Sequence, residues 1–271
     1  MEPLTKIVVN CPDLYRDRRY RAARVSSLAG GMEWSRFVPH YLLKVDSVDF
    51  VRSNFDRDPG VPAWVLPELQ KTPVVVVRRG TVEQDRVPVG IRGLERSQRW
   101  AAYSPIDAIQ QVVTPPQLLE GLSGTSYSEM SAIRRLRDLL AAWRWFTRSD
   151  WGPGGSLGFE LATGRRVTTT RSDLDIIIYA DRYLPRSDAQ KLLASAAALN
   201  LALDARVETP ACGFSLLEYA ASSGGPILLR TSIGPMLGND PWQPPNSLEA
   251  GLDTNDKFLS GTPGRSTSLS F

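Results

Sequence analysis

Residues 173–179 read Asp-Leu-Asp-Ile-Ile-Ile-Tyr, and this run constrains the chain more than any other stretch. β-Branched side chains lose freedom in a helix and pack well on a pleated surface, so three consecutive isoleucines read as a buried strand. Side chains alternate along a strand. Asp173, Asp175, Ile177 and Tyr179 therefore share one face, and Leu174, Ile176 and Ile178 the other. The two carboxylates project together. Upstream, residues 151–158 read Trp-Gly-Pro-Gly-Gly-Ser-Leu-Gly, a glycine-rich turn holding one serine, Ser156. The N–H groups and hydroxyl of such a loop suit phosphate oxygens, and paired carboxylates suit divalent metal over those phosphates. The stretch reads as a nucleotidyl-transfer site.

Three other motifs compete for the same loop. Gly154-Gly155-Ser156-Leu157-Gly158 matches the G-x-S-x-G elbow of serine hydrolases. That site needs a histidine after the serine, and the chain's single histidine, His40, lies far upstream. A Walker A loop ends in Gly-Lys-Ser/Thr, and Gly155-Ser156-Leu157 lacks the lysine. A calcium loop would follow Asp-x-Asp with more oxygen ligands and a glycine, where this chain has Ile176-Ile177-Ile178. One histidine and two distant cysteines, Cys11 and Cys212, also exclude a zinc site of the usual composition. Any metal is expected to be a hard cation on carboxylates.

The rest of the chain is expected to form four parts. Residues 1–33 are a basic leader, with Asp13 capping an arginine-rich helix Leu14–Leu28 that reads as a solvated, partly disordered arm. Residues 34–125 form a smaller N-terminal α/β domain. In it Pro73–Arg79 is a buried strand and Arg86–Arg92 a second, whose Pro88 and Gly90 suggest an edge or a bulge. His40, in an apolar segment, is expected to be structural. Thr114-Pro115-Pro116-Gln117 is a helix start with a capping box. Residues 126–244 form the domain carrying the motif, entered by an amphipathic helix from Ser128 to about Thr147 with Ile133, Leu136, Leu140 and Trp143 on one face. Trp143, Trp145, Phe146 and Trp151 read as core. Ser187-Asp188 caps a further helix through Leu199, and Phe214–Ala221 reads as another helix. Leu201–Glu208 alternates as a strand, with Asp204, Arg206 and Glu208 on one face. Beside 173–179, it would supply Asp204 or Glu208 as a third acid. Residues 245–271 have the composition of a loosely ordered tail. The fold class expected is α+β with a mixed sheet.

Arg92, Arg96 and Arg99 sit close together among Gly and Ser, and they read equally as a phosphate pocket or a solubilising face. The net charge of +3 does not argue for nucleic acid. With no signal-peptide h-region and no apolar run of membrane length, a reduced, soluble, cytoplasmic protein without a Cys11–Cys212 disulfide is expected, with neither nucleic acid nor membrane as partner.

Three blocks carry a family resemblance: WGPGGSLGFELATGRRVTTTRSDLDIII, RVETPACGFSLLEYA and GGPILLRTSIGPMLGNDPW. With VPVGIRG–RSQRWAAY and VTPPQLL, they resemble the malonate decarboxylase holo-[acyl-carrier-protein] synthases, which are phosphoribosyl-dephospho-CoA transferases with a nucleotidyltransferase-like domain. The likeness spans roughly residues 37–243. It implies that a serine of the apo acyl-carrier protein attacks the α-phosphorus of 2′-(5″-triphosphoribosyl)-3′-dephospho-CoA and that pyrophosphate leaves. It implies Asp173 and Asp175 as the catalytic pair, bridging two Mg²⁺ ions. Gly155 and Ser156 match the family's glycine-serine, with Ser156 holding the β,γ-phosphates. Glu208, in the RVETP block, is preferred as third metal ligand and proton acceptor. Arg92, Arg96, Arg99, Arg165, Arg166 and Arg171 become candidate contacts to phosphate or to an acidic carrier protein. The alternatives are a nucleotidyltransferase with another triphosphate donor and acceptor, or a non-catalytic binding module on the same fold.

Overall fold

The computed structural model describes residues 37–55, 60–81, 85–95, 97–120, 122, 131–169 and 172–244. The leader over 1–33 with its helix, the tail over 245–271, Cys11, Arg96 and Arg171 lie outside the described residues. The chain divides into two compact units. One holds residues up to Gly121 together with Gly158–Val167, and the other holds Leu122–Leu157 together with the residues from Thr168 onward.

The first unit is built on a five-stranded sheet in the order β4-β3-β2-β1-β5. Its strands are β1 (Leu42–Val45), β2 (Val74–Val77), β3 (Arg86–Arg92), β4 (Arg99–Pro105) and β5 (Ile109–Val113). All four pairings are antiparallel. Among the described residues, three α-helices accompany them: α1 (Ser47–Phe55), α2 (Val65–Lys71) and α3 (Pro115–Glu120). The Asp46 carboxylate starts α1 by accepting the N–H groups of Val48 and Asp49 at 3.0 and 3.1 Å. At α3 the Thr114 N–H donates to the Gln117 side chain at 2.9 Å, the return half of a capping box. Leu43, Val75, Val87 and Val89 bury against Phe50 and Leu69 of the helices. Each such side chain contributes roughly 1.5–3 kcal/mol on leaving water.

The edge position expected for β3 is corrected by the sheet, since β3 lies between β2 and β4. Pro88 serves there through its carbonyl, which accepts the Arg78 N–H at 2.9 Å. Gly90 fits because a Cβ at that position would sit 3.2 Å from the aliphatic chain of Arg78.

The second unit carries a six-stranded mixed sheet in the order β11-β10-β9-β8-β7-β6. In chain order its elements are α4 (Ser131–Ala142), β6 (Asp150–Pro153), α5 (Gly155–Thr163), β7 (Leu174–Tyr179), α6 (Arg186–Ala198), β8 (Leu203–Glu208), β9 (Gly213–Ser215), α7 (Leu216–Ala221), β10 (Ile227–Thr231) and β11 (Gly234–Gly238). The turns of α5 from Gly158 onward are counted with the first unit. Only β7 and β8 pair in parallel, and α6 makes the crossover that parallel pairing demands. Leu174, Ile176 and Ile178 of β7 are fully buried, with Val207 of β8 and Leu192 of α6.

Helix α4 ends at Ala142, short of Thr147, and the turn that follows it carries the buried Trp143. Its indole N–H donates to the Leu192 carbonyl and to Ser195 Oγ at 3.2 and 3.0 Å, and its ring meets Trp151 edge-on at 4.9 Å. Trp143, Phe146 and Trp151 are buried as a core cluster, while Trp145 is exposed. Two helix starts differ from expectation. Helix α6 begins at Arg186 after Pro185, with no side-chain cap from Ser187. The stretch from Phe214 opens as β9, and α7 begins only after Ser215 accepts the Glu218 N–H. Strand β6 lies at the sheet's edge. The Gly154 N–H points inward to the Asp175 carbonyl at 2.9 Å, so alternation turns the nitrogen of Pro153 outward.

Candidate active site

The glycine-rich stretch is not a loop. Trp151–Pro153 is strand, Gly154 closes the last bond to β7, and α5 starts at Gly155. The turn needs both glycines. A Cβ on Gly154 would lie 2.9 Å from the Ile177 side chain. Gly155 has φ +53°, a conformation that costs other residues roughly 1–2 kcal/mol, and a Cβ there would fall 1.8 Å from a carboxylate oxygen of Asp175. Asp175 thus lies directly on the backbone of the turn. The Ser156 N–H donates to its carboxylate. An unpaired N–H at a helix start is met by a strand acid from 19 positions further along the chain, and the helix dipole favours the negative charge.

The parallel pairing decides which other acid joins it. Asp175 is register partner of Asp204, Ile177 of Arg206 and Tyr179 of Glu208. Paired residues of adjacent strands face the same way, so Asp175 and Asp204 stand side by side. Glu208 lies four residues further along, about 13 Å at the rise of a strand. It is 5% exposed and packs on Gly213, where a Cβ would come within 2.6 Å of its carboxylate. The register therefore places Asp204, the other acid the sequence offered, beside Asp175, and Glu208 away from it.

Burial pushes the Asp175 carboxyl above its ordinary value of 3.8, and the charges of Asp204 and Asp173 push the same way. Arg206 and the Ser156 N–H oppose them. Arg206 reaches back along its own strand to Asp204 at 3.3 Å. Asp173 is exposed just ahead of β7. Carboxylate oxygens with surplus negative charge are the donors that a hard divalent cation such as Mg²⁺ takes. Among the described residues, no three His, Cys, Asp or Glu side chains are already grouped to hold a metal. The preformed part is the pair Asp175–Asp204, with Asp173 within electrostatic reach.

The arginines named from the sequence belong to other settings. Arg92 and Arg99 are register partners at the end of the β3–β4 hairpin of the first unit. Arg92 places its guanidinium over the Phe159 ring at 5.9 Å, and Arg99 is exposed. Arg165 is ion-paired to Glu68, and Arg166 is exposed. Arg206, beside the acids, was not singled out in the sequence as a functional cation. Its signal is the alternation that places it on their face. His40 lies in the first unit at φ +74°, with its N–H on the Val77 carbonyl at 2.9 Å. No helix among the described residues is long and apolar enough to cross a membrane.

Two family models match the chain. Residues 38–115 match the phosphoribosyl-dephospho-CoA transferase MdcG N-terminal domain, and residues 121–241 match its C-terminal domain. A phosphoribosyl-dephospho-CoA transferase of Pseudomonas fluorescens is 36% identical over 68% of this chain and 86% of its own length. The Pseudomonas aeruginosa protein of that name is 39% identical over 67% and 85%. The Klebsiella pneumoniae protein is 37% identical over 66% and 86%. No solved structure matches. With both domain models matched in order and relatives of this identity covered over most of their length, the chain belongs to the phosphoribosyl-dephospho-CoA transferase family and is a transferase.

Proposed function

We propose that this protein moves the 2′-(5″-triphosphoribosyl)-3′-dephospho-CoA prosthetic group onto a serine of the apo acyl-carrier protein of malonate decarboxylase, in the cytoplasm. The serine oxygen bonds to the α-phosphorus, the bond from that phosphorus to the β-phosphate bridge breaks, and pyrophosphate leaves. The observation that carries the reading is the Asp175 carboxylate lying on the glycine turn at the start of α5, with Asp204 in register beside it.

Each residue has a part in that step. Gly154 and Gly155 let the start of α5 lie directly against Asp175, whose carboxylate takes the space a side chain would fill and accepts the Ser156 N–H, so the helix dipole steadies that charge. Ser156 adds its hydroxyl to the same end. Asp173 and Asp175 would hold Mg²⁺, and a divalent cation there supplies charge neutralisation for the phosphates and the departing pyrophosphate. Asp204, in place of Glu208, takes the proton of the attacking serine. Because the turn and the acids are held by neighbouring strands, little reorganisation is needed at the moment of reaction.

The test is to incubate the protein with Mg²⁺, the triphosphoribosyl precursor and apo carrier protein, and to weigh the carrier by mass spectrometry. A mass gain equal to the precursor minus pyrophosphate, lost in Asp175→Asn, is expected. An unchanged carrier mass, or a gain only with another triphosphate such as ATP, overturns the proposed donor and acceptor.

A further inference from the structure

Asp173 stands one residue ahead of β7 and is exposed, so neither the strand nor packing of its own side chain sets its direction. The direction of a side chain follows from the two peptide planes that flank its Cα. Both planes are held here. On the far side, the Leu174 N–H donates to the Ala202 carbonyl at 2.8 Å, where the pairing with β8 begins. On the near side, the Ser172 carbonyl accepts a guanidinium N–H of Arg135 at 3.0 Å. The Ser172 N–H closes a turn onto the Thr169 carbonyl at 3.1 Å, and Ser172 Oγ accepts the Thr169 N–H at 3.0 Å. Those bonds are local and move with the turn. Arg135 comes from α4, 37 residues back in the chain, and α4 is seated by the buried Ile133, Leu136 and Leu139. Arg135 thus ties the turn ahead of Asp173 to the body of the second unit. Its Nε is buried and has no hydrogen-bond partner among the described residues. A buried donor left unmade costs stability. An arginine that carries this cost is poorly explained as a stabiliser and well explained by the carbonyl it holds.

We propose that Arg135 is a positioning residue for Asp173: by holding the Ser172 carbonyl it fixes the peptide plane that enters Asp173, and so aims that carboxylate. Its part in transfer rests on the function proposed above, in which Asp173 belongs to the site, whereas the hold on the backbone does not. Arg135→Met removes the bond to Ser172 and the unmade buried donor together. Arg135→Lys keeps a charged donor on a long stem without the planar fork of the guanidinium.

The test is made on the full chain carrying Arg135→Met. It combines the urea midpoint, the order of the backbone amides by nitrogen NMR relaxation, and transfer to the carrier protein by mass spectrometry. The Asp173 amide should lose order while those of Ile176 to Ile178 keep theirs, and the urea midpoint should not fall. The kcat for transfer should drop about 10- to 100-fold, the scale of a small misplacement, with KM for the precursor within about threefold. Arg135→Lys should restore part of the order and of kcat. Arg134→Met, at the exposed neighbouring position of α4, should change none of these. An Asp173 amide as ordered in Arg135→Met as in the wild-type chain overturns the proposal. So does an Arg135→Lys variant no better than Arg135→Met. An Arg135→Met chain that is destabilised or fails to fold assigns the residue to the fold and overturns it as well. Absence of transfer by the wild-type chain would sink the proposed function alone, since the order of the Asp173 amide still decides the positioning.

Discussion

Asp175 and Glu208 occupy the same face of one parallel strand pair, and each lies against a glycine that no other residue can replace without moving it. At Gly155 a Cβ would fall 1.8 Å from the Asp175 carboxylate, and at Gly213 one would fall 2.6 Å from that of Glu208. The surroundings differ. Gly155 opens a helix, so the acid beside it meets backbone N–H groups and stands half-buried with two other acids near it. Gly213 lies within an antiparallel ladder opposite Glu208 itself, and that acid is sealed inside. A carboxylate in a tight glycine seat is therefore a fixed charge at one end of the pair and a packing element at the other. What separates them is whether the glycine starts a helix or continues a strand.

The comparison can be broken most directly by exchanging charge for amide at each end. Asp175→Asn should lower carrier transfer by on the order of 10³-fold, the scale of removing one preorganised electrostatic group, with the fold retained by circular dichroism. Glu208→Gln should leave transfer per folded molecule within a few-fold and instead cost about 1–3 kcal/mol in denaturant unfolding, as altered buried polar groups do. A Glu208→Gln variant with full stability and no transfer would reverse the assignment of roles.

Filling the glycine seats sharpens the contrast with a smaller effect. Gly155→Ala should cut transfer on the order of 10²-fold, because the positive φ and the new methyl group together drive Asp175 out of place. Gly213→Ala should cost about 1–3 kcal/mol of stability, the usual range for overpacking, and leave the active fraction unchanged. Equal transfer losses in both would remove the distinction.

The smallest expected effect is in pH dependence. The folded Asp175 carboxyl titrates above its ordinary 3.8, so between the two values the folded chain binds more protons than the unfolded one. Without metal, this group's contribution to stability is fullest below 3.8 and falls as pH rises through the raised value. Urea midpoints across that window should show the fall in the wild-type chain and not in Asp175→Asn. Metal binding, which requires the carboxylate, should strengthen in the same direction. A midpoint that rises with pH only through Asp175 contradicts the crowded-acid picture.

Much of this site was legible in the sequence, within limits set by physics. The run Leu174–Ile178 announced a buried strand, and alternation put Asp173 and Asp175 on one face. The Thr114–Gln117 cap was readable because its hydrogen bond is local. Residues 151–158 misled because glycine and proline act as breakers in a propensity reading. Here Pro153 is tolerated on an edge strand, and Gly155 is demanded by a carboxylate from β7. The choice between Asp204 and Glu208 was not legible on the same terms. Both share a face, and only the register of the parallel pair places one beside Asp175 and the other about 13 Å away.

The outward-facing nitrogen of Pro153 has a practical consequence for handling the protein. A sheet edge normally offers a row of donors and acceptors that a stray strand from another chain can zip onto. At Pro153 that row lacks a donor, immediately before the turn that seats Asp175. Trp151, Gly152 and Pro153 are also buried, so at the strand leading into the active turn a stray strand meets neither an open edge nor a donor, and concentrated stocks should lose activity through other surfaces first.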